Sequence, residues 1–354
     1  MQNPLVTFLI GCYNQEAYIR EAMEGAFAQD YSPLEIVVSD DCSRDGTFTV
    51  AQQVAHEYSG PHRVVVTRTP SNRGLTGNCN HAFALARGEL IVLSAGDDIS
   101  VPQRTRRLVQ AWNQSGQRAT SLHSRLAIMD SQGRPVNEEY VDRAWWREPP
   151  VVHEKATVAE FVRRRQPHVR GCTHAIARKL VDLFGPLPER VVYEDTALSF
   201  RTVLAGGVFT FVNEPLVRYR RHAQNITFAL HNLKRSTREA VREHEQKRAV
   251  ELERFVTLYE GFAKDAERAG TLGLISVDSL PAVRRCILRE GRRFELRRQL
   301  LLRPWLERVR IFCALYFTTV RPREALENLR FLLPKDLYIP LLLARQRWQA
   351  ARSS

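Results

Sequence analysis

Over its first 118 residues the chain alternates between two hydrophobic periods. "LVTFLI" (5–10), "LEIVVSD" (34–40), "RVVVTR" (63–68) and "ELIVLS" (89–94) are short apolar runs, the pattern of strands covered on both faces. Between them apolar residues recur three and four apart: Ile19, Ala22, Met23, Ala26 and Phe27, a segment from Thr47 to His56, then Cys79, Ala82, Phe83 and Ala86. A further helix is expected after Pro102, since proline suits a first helical turn. Strands separated by helices of this length predict βαβ units and a mainly parallel sheet.

From 119 to 230 the pattern loosens. "SLHSRLAIMD" and "VFTFVNEPLVRYR" read as extended, "TALSFRTVLAG" as helical, and "WWREPP" and "RRRQPHVRG" as loops. From 231 onward the chain reads as helical. "STRE" can form a capping box, Leu252, Phe255, Val256, Tyr259 and Phe262 form an apolar stripe, and Pro281, Pro304 and Pro322 each sit near the start of a helical pattern. The expected organisation is an α/β domain over 1–230, regular to 118 and irregular after it, followed by a helical region over 231–354.

Charge changes this picture in one place. The formal net charge is +13, yet residues 1–230 hold 26 basic and 24 acidic side chains, whereas 281–354 hold 17 basic and 6 acidic. The basic character therefore belongs to the tail. Its "RRCILREGRRFELRRQLLLRPWLERVRIFCALYF" sets arginines beside apolar stripes carrying Trp305, Phe312 and Tyr316. Two readings stand: an amphipathic surface for an anionic membrane, or helices packed on their own domain or a partner subunit with arginine outside. Nucleic-acid binding is disfavoured, because the charge is confined to the tail and no nucleic-acid module is evident.

Six cysteines lie far apart without a CxxC pair, which predicts no disulfide framework or zinc site and a reducing, cytoplasmic setting. "MQNPLVTFLIG" lacks a basic n-region and a long apolar core, so no signal peptide is expected. No run of 18 apolar residues occurs, so no spanning helix is expected. There is no GxGxxG after the first strand, no P-loop, no HExxH and no GxSxG, which removes the usual dinucleotide, nucleoside triphosphatase, zinc protease and serine hydrolase signatures.

The candidate chemistry lies at strand ends, where ligands bind in an open parallel sheet. The first strand ends in "GCYNQ", the second in "SDDCSRDGT" and the fourth in "SAGDD". The adjacent Asp97 and Asp98 repel each other and resist dehydration. A hard cation such as Mg²⁺ or Mn²⁺ compensates such a pair and commonly shares its shell with substrate phosphates. Alternatively, Asp98 or Ser100 caps the helix that follows. "YED" (193–195) likewise reads either as a chemical site or as acids favouring a helix N-terminus. His222, within "RYRRHAQN", reads as a ligand or as a structural histidine. The neighbouring Arg218, Arg220 and Arg221 read as diphosphate contacts or surface charge.

Three segments in order resemble the family 2 glycosyltransferases of GT-A fold: "VTFLIGCYNQEAYIREAMEGAFAQDYSPLEIVVSDDCSRDGT", "SNRGLTGNCNHAFALARGELIVLSAGDD" and "VVYEDTALSFRTVLAGGVFTFVNEPLVRYRRHAQNIT". The resemblance covers roughly 5–228. It implies a Rossmann-like sheet with a nucleotide-binding half (1–118) and an acceptor half (119–230). It implies that Tyr13 contacts the nucleobase near Gly11 and Asn14, that Asp41 hydrogen-bonds uracil, and that Asn72 and Gly74 lie near the donor. Asp97 approaches the ribose or sugar, Asp98 ligates Mn²⁺ or Mg²⁺ at the diphosphate, His222 is an extra ligand or phosphate contact, and Asp195 is the base. "IGCYN" replaces the commoner Pro-Thr-Tyr-Asn, and "GDD" is a degenerate DxD that leaves the first acid's role open. The implied activity is inverting, metal-dependent transfer from a nucleotide-sugar, a UDP-sugar by class, to a saccharide or lipid-linked acceptor in surface-polysaccharide synthesis. A glycosyltransferase-like scaffold without catalysis is the competing expectation. The oligomeric state stays open.

Overall fold

The computed structural model describes residues 3–136, 151–189, 191–225 and 238–318. The sequence readings at "WWREPP", at the first half of "STRE" and at Pro322 with the remaining tail lie outside the described residues. Two compact units are present: Met1–His222 with Gly261–Val283, and the described parts of Ala223–Glu260 and Arg284–Ser354.

In the first unit, β1 (Val6–Cys12), β2 (Leu34–Asp40), β3 (Arg63–Arg68) and β4 (Leu90–Ala95) pair in parallel in the order β3-β2-β1-β4. Nearly every residue of β1, β2 and β4 is buried, whereas β3 is only half-covered. That burial explains the unbroken apolar runs. The helices α1 (Ile19–Phe27), α2 (Thr47–Glu57), α3 (Gly74–Leu85) and α4 (Arg104–Gln114) connect or follow these strands. Phe8, Ile10, Ile19, Met23, Ile36, Val38, Val92 and Leu108 are core residues of this half. Its register fixes where the polar strand ends meet. Cys12 pairs with Asp40 and Gly11 with Ala95, so "GCYN", "SDD" and "AGDD" leave the sheet at one level.

Beyond β4 the sheet changes direction. A three-residue strand, β8 (Ala175–Ala177), runs antiparallel to β4 and to β6 (Ala119–Met129), and β6 pairs in parallel with β9 (Val208–Arg220). The two-residue β5 (Ile99–Ser100) and β7 (Val151–Glu154) pair antiparallel with β9. This is the α/β, mainly parallel sheet flanked by helices that the periodicity predicts, with an antiparallel insertion at its centre. The segment read as a loop at 163–171 opens on the last two residues of a helix, α5 (Val158–Arg164), and is irregular over 165–170 as expected. Thr157 and Glu160 give α5 a reciprocal capping box, a signal the apolar spacing alone passes over.

After α6 (Lys179–Phe184) comes α7 (Glu194–Leu204), with Ala197, Leu198 and Phe200 buried. Phe200 stacks on Phe262, with ring centroids 4.0 Å apart. Arg201, on the same helix, makes a paired contact with Asp265 through Nε–Oδ2 at 2.9 Å and Nη2–Oδ1 at 3.0 Å. It also donates to the carbonyls of Gly185 and Pro186. Phe262 and Asp265 belong to α8 (Arg238–Thr271). The second unit takes the start of α8, most of α9 (Leu280–Leu302) and α10 (Trp305–Thr318). There Phe255 stacks on Phe294 at 4.9 Å, and a buried Arg293 pairs with Glu290. No helix among the described residues is long and apolar enough to cross a membrane.

Candidate active site

The two aspartates at the end of β2, Asp40 within it and Asp41 just after, divide their duties. Asp40 is turned into the β2–α2 loop, where Oδ2 accepts from Ser43 N (3.0 Å), Arg68 Nε lies 3.2 Å away and the Ser43 hydroxyl bonds to Oδ1. Asp41 faces the opposite loop and accepts from Thr69 Oγ1 (3.1 Å) and Arg73 N (2.8 Å). Gly74 follows with a φ of +72° and open space around it. Asn72 is exposed beside it. Tyr13 presents an exposed ring, 39% accessible. Asn14 sits at φ +53°, a backbone state asparagine tolerates. It is tied down on both sides: its N–H donates to Ser43 Oγ and its Oδ1 accepts from Arg44 N, each at 2.8 Å. Gly11 has only an ordinary neighbour, Asn78 Nδ2, where a Cβ would stand.

After β4 the chain makes a close turn against β1. A Cβ on Gly96 would fall 2.7 Å from Cys12 Cβ, so only glycine lets the "AGDD" loop sit this low. Neither Asp98 nor Ser100 caps α4. The N-cap is Gln103, and Ile99 and Ser100 form β5 instead. The cap reading of the aspartate pair is therefore replaced. β5 pairs Ile99 with Arg218 and so delivers the end of β9 to the aspartates.

Arg220 is the centre of that junction. It is 1% exposed. Its backbone N–H donates to Asp98 Oδ1 (2.9 Å), Nε to Asp97 O (2.9 Å), Nη1 to Ser131 O (3.2 Å) and Nη2 to Glu21 Oε2 (2.8 Å). Its guanidinium also lies over the Tyr18 ring. The reading of Arg220 as a diphosphate contact or surface charge is corrected: its donors are committed inside the fold. His222 Nε2 lies 2.9 Å from Asp97 Oδ2, with its ring tilted against Tyr18.

Asp98 is the deeper carboxylate. Its Oδ2 is buried without a hydrogen-bonding partner. Burial first, then the Asp97 charge, push its carboxyl well above the usual range, while the Arg220 N–H, the Cys172 thiol and Arg104 pull the other way. A buried, orphaned carboxylate oxygen beside a second carboxylate fits a hard cation. Among the described residues no three His, Cys, Asp or Glu side chains converge as a complete metal cage, so a cation here would need further ligands, of the kind substrate phosphates supply.

Asp195 stands in the first turn of α7, so the helix-terminus and chemical readings of "YED" are compatible. Its Oδ2 accepts from Gly171 N (3.2 Å), and Oδ1 accepts from Thr196 N (2.5 Å) and Thr196 Oγ1 (3.1 Å). Burial raises its carboxyl, and His168 opposes the shift. Glu194 is pushed to about 8 by burial and then by the Asp195 charge. The two titrate as a pair even though successive helix positions face apart.

Gly171 belongs to a tight turn, Gly171–Thr173, that the sequence reading passes over. The next residue, Cys172, lies beside Asp98, and burial followed by the Asp98 charge raises its thiol. The signal was the short "HAIA" run after it. A strand antiparallel to β4 has its beginning at the carboxyl end of β4, which puts the preceding turn on the site rim.

Residues 7–180 match the family model for glycosyl transferase family 2. The putative glycosyltransferase EpsE of Bacillus subtilis is 35% identical over 106 residues, 30% of this chain and 37% of EpsE. The succinoglycan biosynthesis protein ExoO of Rhizobium meliloti is 34% identical over 133 residues, 38% of this chain and 36% of ExoO. This chain thus spans little more than a third of either relative. Among solved structures, S. aureus TarS 1–349 in complex with UDP-GlcNAc superposes with a TM-score of 0.53 at 17% identity, over 92% of this chain and 90% of that one. The rim carboxylates, the sheet that presents them and these likenesses agree, and residues 7–180 form a family 2 glycosyltransferase domain of GT-A fold.

Proposed function

We propose that this chain is an inverting, divalent-metal-dependent hexosyltransferase. It moves a sugar from a nucleotide-sugar, a UDP-sugar by class, to a saccharide carried on a lipid, in synthesis of a surface polysaccharide of O-antigen or capsule kind. The observation that carries this reading is Asp98 Oδ2, buried and unpartnered at the strand-end rim beside Asp97. Asp98, with His222 near, would hold Mn²⁺ or Mg²⁺, which when bound supplies Lewis-acid stabilisation of the leaving diphosphate. Tyr13 offers its exposed ring to the base, Asp41 its carboxylate to uracil, and Asp97 serves the sugar side. Gly11, Asn14, Asn72 and Gly74 shape the loops around the donor. Asp195 accepts the proton of the acceptor hydroxyl. One base without a protein nucleophile gives a single displacement, hence inversion. The name of ExoO supports polysaccharide synthesis, and the UDP-GlcNAc held by TarS supports the donor class.

Calorimetry with UDP tests the donor site. Mn²⁺ should tighten UDP binding by at least about tenfold, and Asp98→Asn should remove that gain while leaving the metal-free affinity unchanged. UDP binding indifferent to both Mn²⁺ and this substitution would sink the reading.

The second unit supports a peripheral place on an anionic membrane. Leu302, Trp305, Leu306 and Val309 are exposed near the start of α10, with Leu306 73% accessible, and exposed Arg303 and Arg310 lie among them. Apolar anchors ringed by arginine suit a lipid interface. The paired substitution Trp305→Glu and Leu306→Glu should weaken cosedimentation with phosphatidylglycerol vesicles by at least about tenfold. Equal sedimentation of both proteins would remove the membrane assignment.

A further inference from the structure

We propose that the Gly171–Cys172 turn is a positioning element that sets the base carboxylate and the metal-binding carboxylate against each other. The inference rests on the roles given above to Asp195 and Asp98. The turn is rigid by its own bonds. Thr173 N and Oγ1 both reach Arg170 O (2.9 and 3.1 Å), and His174 N donates to Gly171 O (3.1 Å). It is also anchored at its far side. His174 O accepts from Leu93 N at 2.9 Å, within β4 and five residues before Asp98, and the fully buried His174 ring meets Ser121 Oγ at 2.6 Å.

From this anchor two consecutive residues touch the two halves of the chemistry. Gly171 donates its N–H to Asp195 Oδ2. The Glu194 carboxylate lies where a Cβ on Gly171 would stand, and Asp195 Cβ is 3.9 Å from that point. Cys172 is the next residue, and its thiol interacts with the Asp98 carboxyl. One peptide unit therefore spans from the base to the leaving-group site. Gly171 has no positive φ to explain it; what glycine provides here is room for Glu194 and a free approach to Asp195. The blocking atom is the end of a flexible side chain, so a methyl group there displaces Glu194 rather than breaking the fold.

The test measures UDP release by hydrolysis of UDP-glucose, UDP-galactose, UDP-GlcNAc and UDP-GalNAc with Mn²⁺, on wild type, Asp195→Asn and Gly171→Ala. Gly171→Ala should lower kcat by about 10²-fold, with donor KM and the UDP–Mn²⁺ affinity within about twofold of wild type. In a Glu194→Ala background the same change should lower kcat by less than about threefold, because the displaced group is gone. Wild-type turnover in Gly171→Ala, an equal loss in both backgrounds, or donor affinity falling in step with kcat would overturn the proposal. If Asp195→Asn turns over like wild type, the base assignment fails instead, and the two failures are told apart. Cys172→Leu needs no turnover: its bulk should weaken UDP binding in Mn²⁺ by about tenfold while metal-free UDP binding and the melting temperature hold. Unchanged UDP–Mn²⁺ affinity in that variant overturns the metal side.

Discussion

Asp195→Asn should reduce sugar transfer by roughly 10²- to 10⁴-fold, the usual contribution of a positioned general base. UDP–Mn²⁺ binding should be spared. The substitution is nearly isosteric; the amide keeps one oxygen, which can serve one of the two N–H groups, Gly171 on Oδ2 and Thr196 on Oδ1, that now hold the carboxylate. What is lost is a site able to take a proton. Burial raises the Asp195 carboxyl above its ordinary range, which fixes the sign of the pH effect. A base works when ionised, so wild-type activity should fall as pH drops through an apparent pKa higher than that of a free aspartate. Glu194, pushed to about 8, holds the proton of the pair first and leaves Asp195 the more readily ionised member. A pH–rate profile flat down to the free carboxylate range, or undiminished turnover in the mutant, removes Asp195 as the base.

The second large effect is on stability. Arg201→Ala should cost about 3–5 kcal/mol, because it leaves Asp265 buried without its partner. Arg201 is 1% exposed, and both of its carboxylate contacts lie inside the first unit. Burial already raises the Asp265 carboxyl, and Arg201 holds it down. Its removal also strands the Gly185 and Pro186 carbonyls that Arg201 now serves. The double change Arg201→Met with Asp265→Leu should recover much of the loss, since neither charge then remains buried. Urea denaturation of the single and double variants measures both. A single variant as stable as wild type would show the pair to be dispensable. Because α7 carries Asp195 at its first turn, the single variant should lose activity as well.

The sequence was most readable where burial forces a period. β1, β2 and β4 are covered on both faces, so their apolar runs stand out, and the polar residues ending them mark the rim. Asp41, Asp97 and Asp98 followed from that logic together with the family resemblance. Short elements were not legible. β8 has three residues and β5 two, too few to show any period, yet one places Gly171 and Cys172 at the rim and the other delivers Arg220 to the aspartates. Arg220 itself was misread for a related reason. In "RYRRH" its neighbours are arginines too, and no local pattern separates a fully buried guanidinium from the exposed Arg218 two positions earlier. Only the four partners of Arg220, drawn from distant parts of the chain, make that distinction.

Those partners carry a further consequence. Arg220 stands at the end of β9, while the groups it joins lie on α1, in the loop after β4 and beyond β6. The seat of Asp98 is thus completed by a residue more than a hundred positions downstream. Residues 1–118 and 119–230 are therefore not interchangeable cassettes. A foreign segment grafted in place of residues 119–230 would keep the seat of Asp98 only if it also brought an arginine to this junction. Sequence change in that second part is easiest in segments that leave the β5–β9 contact intact.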